Sequence, residues 1–150
     1  MTTTILLCTD GSELAERALA AGLAVLAPAD RIVVATAIEP YDSSMLTGVS
    51  GFGGGTVTPE QYDAQRQLER EGADEVLRQT VATLGLDGAE TTVVEGDPAT
   101  ALCDLAASLP ATVMVAGTRG LGGLKRALLG SVSDHLVRNA PCPIVLTHPE

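Results

Sequence analysis

Ala111-Thr-Val-Met-Val-Ala-Gly-Thr-Arg-Gly120 is followed by nine residues and then by Gly130-Ser-Val-Ser-Asp134. The apolar run 111–116 reads as a buried strand. Five of the chain's sixteen glycines fall between Gly117 and Gly130, so a loop must follow. Ser131-Val-Ser-Asp134 reads as a helix start, with Ser131 as N-cap and Asp134 completing a capping box. A strand, a glycine-rich loop and a helix N-terminus form one half of a βαβ unit. That combination also makes a phosphate cradle, because glycine lets backbone N–H groups approach an anion with no Cβ in the way.

The same alternation extends outward in both directions. Thr4-Ile-Leu-Leu-Cys-Thr9 predicts a strand, and Ser12 caps a helix carrying Glu13 and Glu16 in its first turn and stopped by Pro28. Arg31–Ile38 predicts a second strand. Thr58-Pro59 places a cap before a proline at the first helical position. From there Ala73, Val76, Leu77, Val81 and Leu84 recur at helical spacing up to Gly85. Glu90–Glu95 predicts a third strand. Asp97-Pro98 opens a third helix with Leu102, Leu105, Ala106 and Leu109 on one face. The fourth helix carries Val132, Leu136, Val137 and Ala140 and stops before Pro141, and Pro143–Thr147 is the last strand. Strands alternating with helices predict a parallel sheet with helices on both faces. In such sheets ligands bind at the carboxyl ends of the strands, where the strand order reverses. The reversal expected between strands one and four brings Thr9-Asp10-Gly11 opposite the segment 117–130.

At 150 residues the chain predicts one domain over 1–150 with a sizeable core. Aromatics make up 2% of it, so Ala, Leu, Val and Ile must fill that core. The formal net charge of −10 disfavours nucleic acid and anionic membranes as partners. Arg119, Lys125 and Arg126 are a basic cluster in this acidic chain, suited to counter a polyphosphate. No apolar run spans a bilayer, and Met1-Thr-Thr-Thr4 carries no basic leader segment, so a cytoplasmic protein is expected. Cys8, Cys103 and Cys142 lack metal-ligand spacing and read as reduced core thiols, with a redox role for Cys8 as the alternative. The glycine-rich segment 40–57 reads as a flexible tether or as a lid. No GxxxxGK[ST], complete GxGxxG after strand one or GxSxG occurs, which excludes three common owners of such a loop. Asp10 is a turn residue or an acceptor for a ligand hydroxyl or amine. Neither His135 nor His148 has a catalytic partner pattern.

Gly-x2-Gly-x9-Gly-[Ser/Thr], carried without gaps by Gly117, Gly120, Gly130 and Ser131, resembles the nucleotide-binding signature of the universal stress protein family. Asp10-Gly-Ser-Glu13, Glu95-Gly-Asp-Pro98 and the closing segment 130–146 are similar to that family's other motifs. The resemblance covers essentially the whole chain. It implies an open parallel five-stranded sheet of order 3-2-1-4-5, Rossmann-like and close to the adenine nucleotide alpha hydrolase fold. It implies ATP as ligand, with Mg²⁺ held through the phosphates rather than by protein side chains, and a homodimer joined through strand 143–147. By position, Thr9 and Asp10 face the adenine or ribose end, and Ala37 lines the adenine pocket. Gly117 approaches the ribose. Arg119 and Gly120 lie toward the phosphates, and Gly130, Ser131, Val132 and Ser133 bind them. No general base or arginine finger for fast phosphoryl transfer is evident. The expected function is therefore nucleotide-dependent stress or signalling regulation. The rivals are a slow ATPase or phosphotransferase, and a nucleotide-free dimeric scaffold.

Overall fold

A computed structural model of the chain describes residues 1–40, 42, 57–118 and 129–148. Its elements are β1 (Thr4–Cys8), α1 (Glu13–Ala24), β2 (Arg31–Ile38), α2 (Pro59–Leu84), β3 (Glu90–Glu95), α3 (Pro98–Ser108), β4 (Val113–Gly117), α4 (Ser131–Asn139) and β5 (Ile144–Thr147). Three helices start where a side chain takes up an orphan N–H. Ser12 accepts from Ala15, Thr58 forms a reciprocal capping box with Gln61, and Asp97 accepts from Thr100. The hydrogen bonds from the Thr100 backbone and hydroxyl hold the Asp97 carboxyl below its usual range. At the far end of α2, Gly85 adopts the left-handed conformation (φ 63°) that ends the helix.

All the strands pair in parallel, in the order β3-β2-β1-β4-β5. The reversal of strand order therefore falls between β1 and β4, as expected from the commonest nucleotide-binding arrangement of such sheets. The side-chain period of two sorts the core into two layers. Ile5 and Leu7 of β1, with Val34 and Val115, pack under Leu19 of α1 and Leu77 of α2. Leu6 and Cys8, with Val33, Ala35, Met114 and Ala116, pack under Leu102 and Ala106 of α3 and Leu136 of α4. Strands buried on both faces read as continuous apolar runs, which is why the central strands were so plain in sequence.

Some local expectations shift. β4 begins at Val113 rather than Ala111, and α1 ends at Ala24, four residues before Pro28. The cap of α4 is Gly130, not Ser131, and the Ser131–Asp134 capping box is not formed. The Gly130 carbonyl already accepts from the Asp134 N–H at 2.9 Å, so helical bonding starts one residue earlier than the local rule places it. The Asp134 side chain turns instead to Arg138 at 3.1 Å. The inward face of α4 holds Ser133 and Leu136. Val132 and Val137, expected on the core face, are 36% and 50% exposed. Tyr62 and Thr80 are buried on α2, where the apolar periodicity did not include them.

Thr80 is fully buried, and its hydroxyl has no hydrogen-bond partner among the described residues. A buried hydroxyl in that state costs about 1–3 kcal/mol, while valine has nearly the same shape and helix propensity. Thr80→Val is therefore expected to stabilise the chain by about 1 kcal/mol, read as a higher urea midpoint at unchanged slope. A lowered midpoint would mean that the hydroxyl is satisfied in solution.

Candidate functional site

The β1–α1 turn opens directly at the carboxyl edge of the sheet. Thr9, 7% exposed, continues β1 by donating its N–H to the Ala35 carbonyl at 3.0 Å. Its hydroxyl accepts from the Gly11 N–H at 3.1 Å, and Asp10 Oδ1 accepts from the Ser12 N–H at 2.9 Å. The turn role of Asp10 is thus realised. Gly11 is required twice over. Its φ of +79° is a conformation side chains rarely adopt, and a Cβ there would lie 2.8 Å from Val76 Cγ1 of α2. The turn is held from above by α2 and from below by the sheet.

The β1–β4 register pairs Leu7 with Val115. Two residues further along each strand lie Thr9 and Gly117, so the Thr9–Asp10 turn and the start of the glycine segment share one edge. Ala37 stands on the neighbouring strand, opposite Val94 of β3. Arg66 of α2 closes the β2–β3 side of the edge. Its guanidinium, 11% exposed at the side chain, donates to the Glu39 carbonyl at 2.8 Å and to Glu69 at 2.7 Å, and pairs with Glu95 at 2.7 Å. Arg70 pairs with Glu95 as well, at 2.7 Å.

Thr118 ties the other side together. Its N–H donates to the Thr147 carbonyl at 3.0 Å, and its own carbonyl accepts from the Gly130 N–H at 3.1 Å. The same carbonyl accepts from the Ser133 hydroxyl at 3.2 Å. The Thr118 hydroxyl lies 3.1 Å from His148 Nδ1, with the direction of donation set by the tautomer. Residues 118 and 130 are thereby joined at the base of the glycine segment. At this point, among the described residues, α4 begins without a side-chain cap, unlike α1, α2 and α3. The N–H groups of Ser131, Val132 and Ser133 have no intrahelical acceptor by their position, and the helix dipole adds partial positive charge there. Such a terminus favours an anion.

Of the residues singled out in sequence, Thr9, Asp10, Ala37, Gly117, Gly130, Ser131, Val132 and Ser133 stand on elements that meet at this edge. Arg119, Gly120, Lys125 and Arg126 lie outside the described residues, as does most of the segment 40–57. Thr118 and Arg66 were not anticipated. Thr118 carried a faint signal, a hydroxyl residue between a strand end and a glycine, but its partners are distant in sequence. Among the described residues, no group of three His, Cys, Asp or Glu is placed to hold a metal. Burial pushes the Cys8 thiol up to about 12, so it stays protonated and unreactive at neutral pH. Cys103 and Cys142, which pack against the same core layer, are also raised by burial. The redox alternative for Cys8 loses its chemical basis. Among the described residues, no helix is long and apolar enough to cross a membrane.

Comparison with known proteins agrees with this geometry. The chain is 36% identical over 144 residues to a universal stress protein of Thermus aquaticus, covering 95% of this chain and 96% of that one. The solved structure of the universal stress protein UspA from Lactobacillus plantarum superposes with a TM-score of 0.70 at 20% identity, covering 97% of each chain. A universal stress protein solved in complex with cAMP superposes at 0.65 with 26% identity, covering 99% of each chain. The sequence profile of the universal stress protein family matches residues 1–148. With the sheet order, the glycine spacing and the profile in agreement, this chain belongs to the universal stress protein family.

Proposed function

We propose that the chain binds an adenine nucleotide, ATP, at the carboxyl edge between β1 and β4, and acts as a nucleotide-dependent regulator. The observation that carries the reading is the start of α4. It is a helix N-terminus with no side-chain cap among the described residues, fixed against the end of β4 and preceded by glycine. Phosphate oxygens supply the acceptors that such N–H groups lack, and charge-assisted bonds of this kind are about twice as strong as neutral ones. In this reading Asp10 and Ala37 face the nucleoside and Gly117 lies beside the ribose. Support also comes from neighbours sharing the fold. Besides the cAMP complex, universal stress proteins are solved with dAMP, from Archaeoglobus fulgidus, and with AMP, from Arabidopsis thaliana.

Arg119 and Gly120 extend the site toward the outer phosphates in this reading. Mg²⁺ is carried on the phosphate chain, with no carboxylate cluster of the described residues assigned to it. ATP is a conformational ligand that is turned over slowly at most. The open edge of β5 is the surface for a second copy, since an unpaired strand edge presents free ladder groups. The protein works in the cytoplasm.

The test is calorimetric titration of the purified chain with ATP, AMP and adenosine, together with a phosphate-release assay. The expected result is ATP binding below millimolar Kd and release slower than about 1 s⁻¹, the low end of ordinary enzyme turnover. Faster sustained release would make the protein an ATPase. No affinity at millimolar nucleotide would leave the scaffold reading.

A further inference from the structure

Ser133 belongs to the segment expected to contact phosphate, yet its hydroxyl is turned inward. The residue is 3% exposed. Its Oγ donates to the Gly130 carbonyl at 3.0 Å and to the Thr118 carbonyl at 3.2 Å. A serine hydroxyl has one hydrogen, and here two carbonyls share it. Phosphate oxygens are acceptors at neutral pH, so a phosphate contact would need that same hydrogen. The bond to Gly130, three residues back, is a habit of hydroxyls in a first helical turn. The bond to Thr118 is different in kind, because it joins the two ends of the glycine segment and lands on the residue just past the end of β4.

We propose that Ser133 is a positioning residue that fastens the neck of the glycine segment, holding the start of α4 to the end of β4 rather than touching phosphate. The inference rests on the nucleotide-binding reading for its consequence but not for its geometry. Thr118 is the fixed post, since its N–H is bonded to Thr147 of β5. Its carbonyl receives two donors from the far side of the neck, the Gly130 N–H and the Ser133 hydroxyl. Together they set the angle at which the uncapped N–H groups of α4 face the sheet edge. Loss of one donor leaves the Gly130 bond alone to hold that angle. The phosphate end of a ligand then loses preorganised donors, while the nucleoside end, near Asp10 and Ala37, is untouched.

Ser133→Ala, Ser133→Cys and Ser133→Thr test this through two readouts. The first is hydrogen exchange of the Gly130 amide, followed by NMR in nucleotide-free protein. The second is calorimetric affinity for ATP and for adenosine. Alanine and cysteine are expected to speed Gly130 exchange and to weaken ATP, each about tenfold, with adenosine changed less than twofold. Threonine keeps the hydroxyl and is expected to restore both. Weakened ATP with unchanged Gly130 exchange would make Ser133 a direct ligand and overturn the proposal. Unchanged exchange and unchanged affinity would overturn it too, reducing the Thr118 bond to an incidental contact. A wild-type chain that binds neither ligand would end the nucleotide reading, and Gly130 exchange in the ligand-free variants would still decide the fastener.

Discussion

Gly22→Ala is expected to destabilise the chain by about 1–3 kcal/mol, the range for overpacking a well-filled core, although alanine is the better helix former. Helix propensity alone predicts a gain of about 1 kcal/mol for this change, so the sign discriminates. Gly22 lies in the third turn of α1, where the helix crosses β4 and β5. A Cβ built there would clash with Val115 Cγ1, with Thr147 Cγ2 at 3.5 Å and Val145 Cγ1 at 3.6 Å. Val115 is fully buried in the middle of the sheet and, being β-branched, has little rotamer freedom to move aside. The helix would have to lift, and lifting it breaks the bond from the Thr147 hydroxyl to the Ala18 carbonyl. The loss should lower the melting temperature by roughly 2–4 °C per kcal/mol in a chain of this size. Gly22→Val adds two methyl groups to the same gap and is expected to prevent stable folding. Adding Val115→Ala to Gly22→Ala should recover part of the loss, which a double-mutant cycle measures directly. A stabilised Gly22→Ala protein would show that α1 does not approach β4 this closely.

Gly22 also shows where sequence reading stopped. In Ala20-Ala-Gly22-Leu it is an ordinary weak point of a helix, and nothing nearby announces that β4 lies against it. Features decided within a few residues were legible. The Ser12, Thr58 and Asp97 caps and the Gly85 stop all form as the local chemistry predicts. The parallel sheet followed from the alternation of elements, and its strand order from the family resemblance. Features decided by distant partners were not legible. Ser131 satisfies the local rule for a cap, but the tie between Gly130 and Thr118 starts the helix one residue earlier. Val132 and Val137 satisfy apolar periodicity, but the one face of α4 that meets the core is taken by Ser133 and Leu136. For the site, the motif positions were readable as a set, whereas the division of labour within the set was not. Asp10 spends one carboxylate oxygen on its own turn, and Ser133 spends its hydroxyl on the neck.

Gly130→Val is expected to weaken ATP by about 100-fold or more while leaving the fold close to wild type. The backbone at Gly130 (φ −62°, ψ 160°) is extended and open to any residue, so no strain forces glycine there. A Cβ would meet the Thr118 carbonyl oxygen at 3.5 Å and Ser133 Oγ at 3.6 Å, both ordinary contacts. Among the described residues nothing requires glycine at this position, and the proposed phosphate supplies a reason for it. Valine would place its methyl groups over the N–H groups that begin α4, where the proposed phosphates lie. Two lost charge-assisted bonds, at about 1.5–3 kcal/mol each, correspond to at least a 100-fold change at 1.4 kcal/mol per tenfold. Alanine, lacking the branches, should cost about tenfold, roughly one such step in affinity. Thermal melts with and without ATP separate the two quantities. The unliganded midpoint should stay near wild type, and the upward shift expected from ATP in wild type should vanish. A Gly130→Val protein that keeps both its midpoint and its ATP shift would mean that no phosphate sits over the start of α4. The uncapped helix would then owe its form to the Thr118 neck alone.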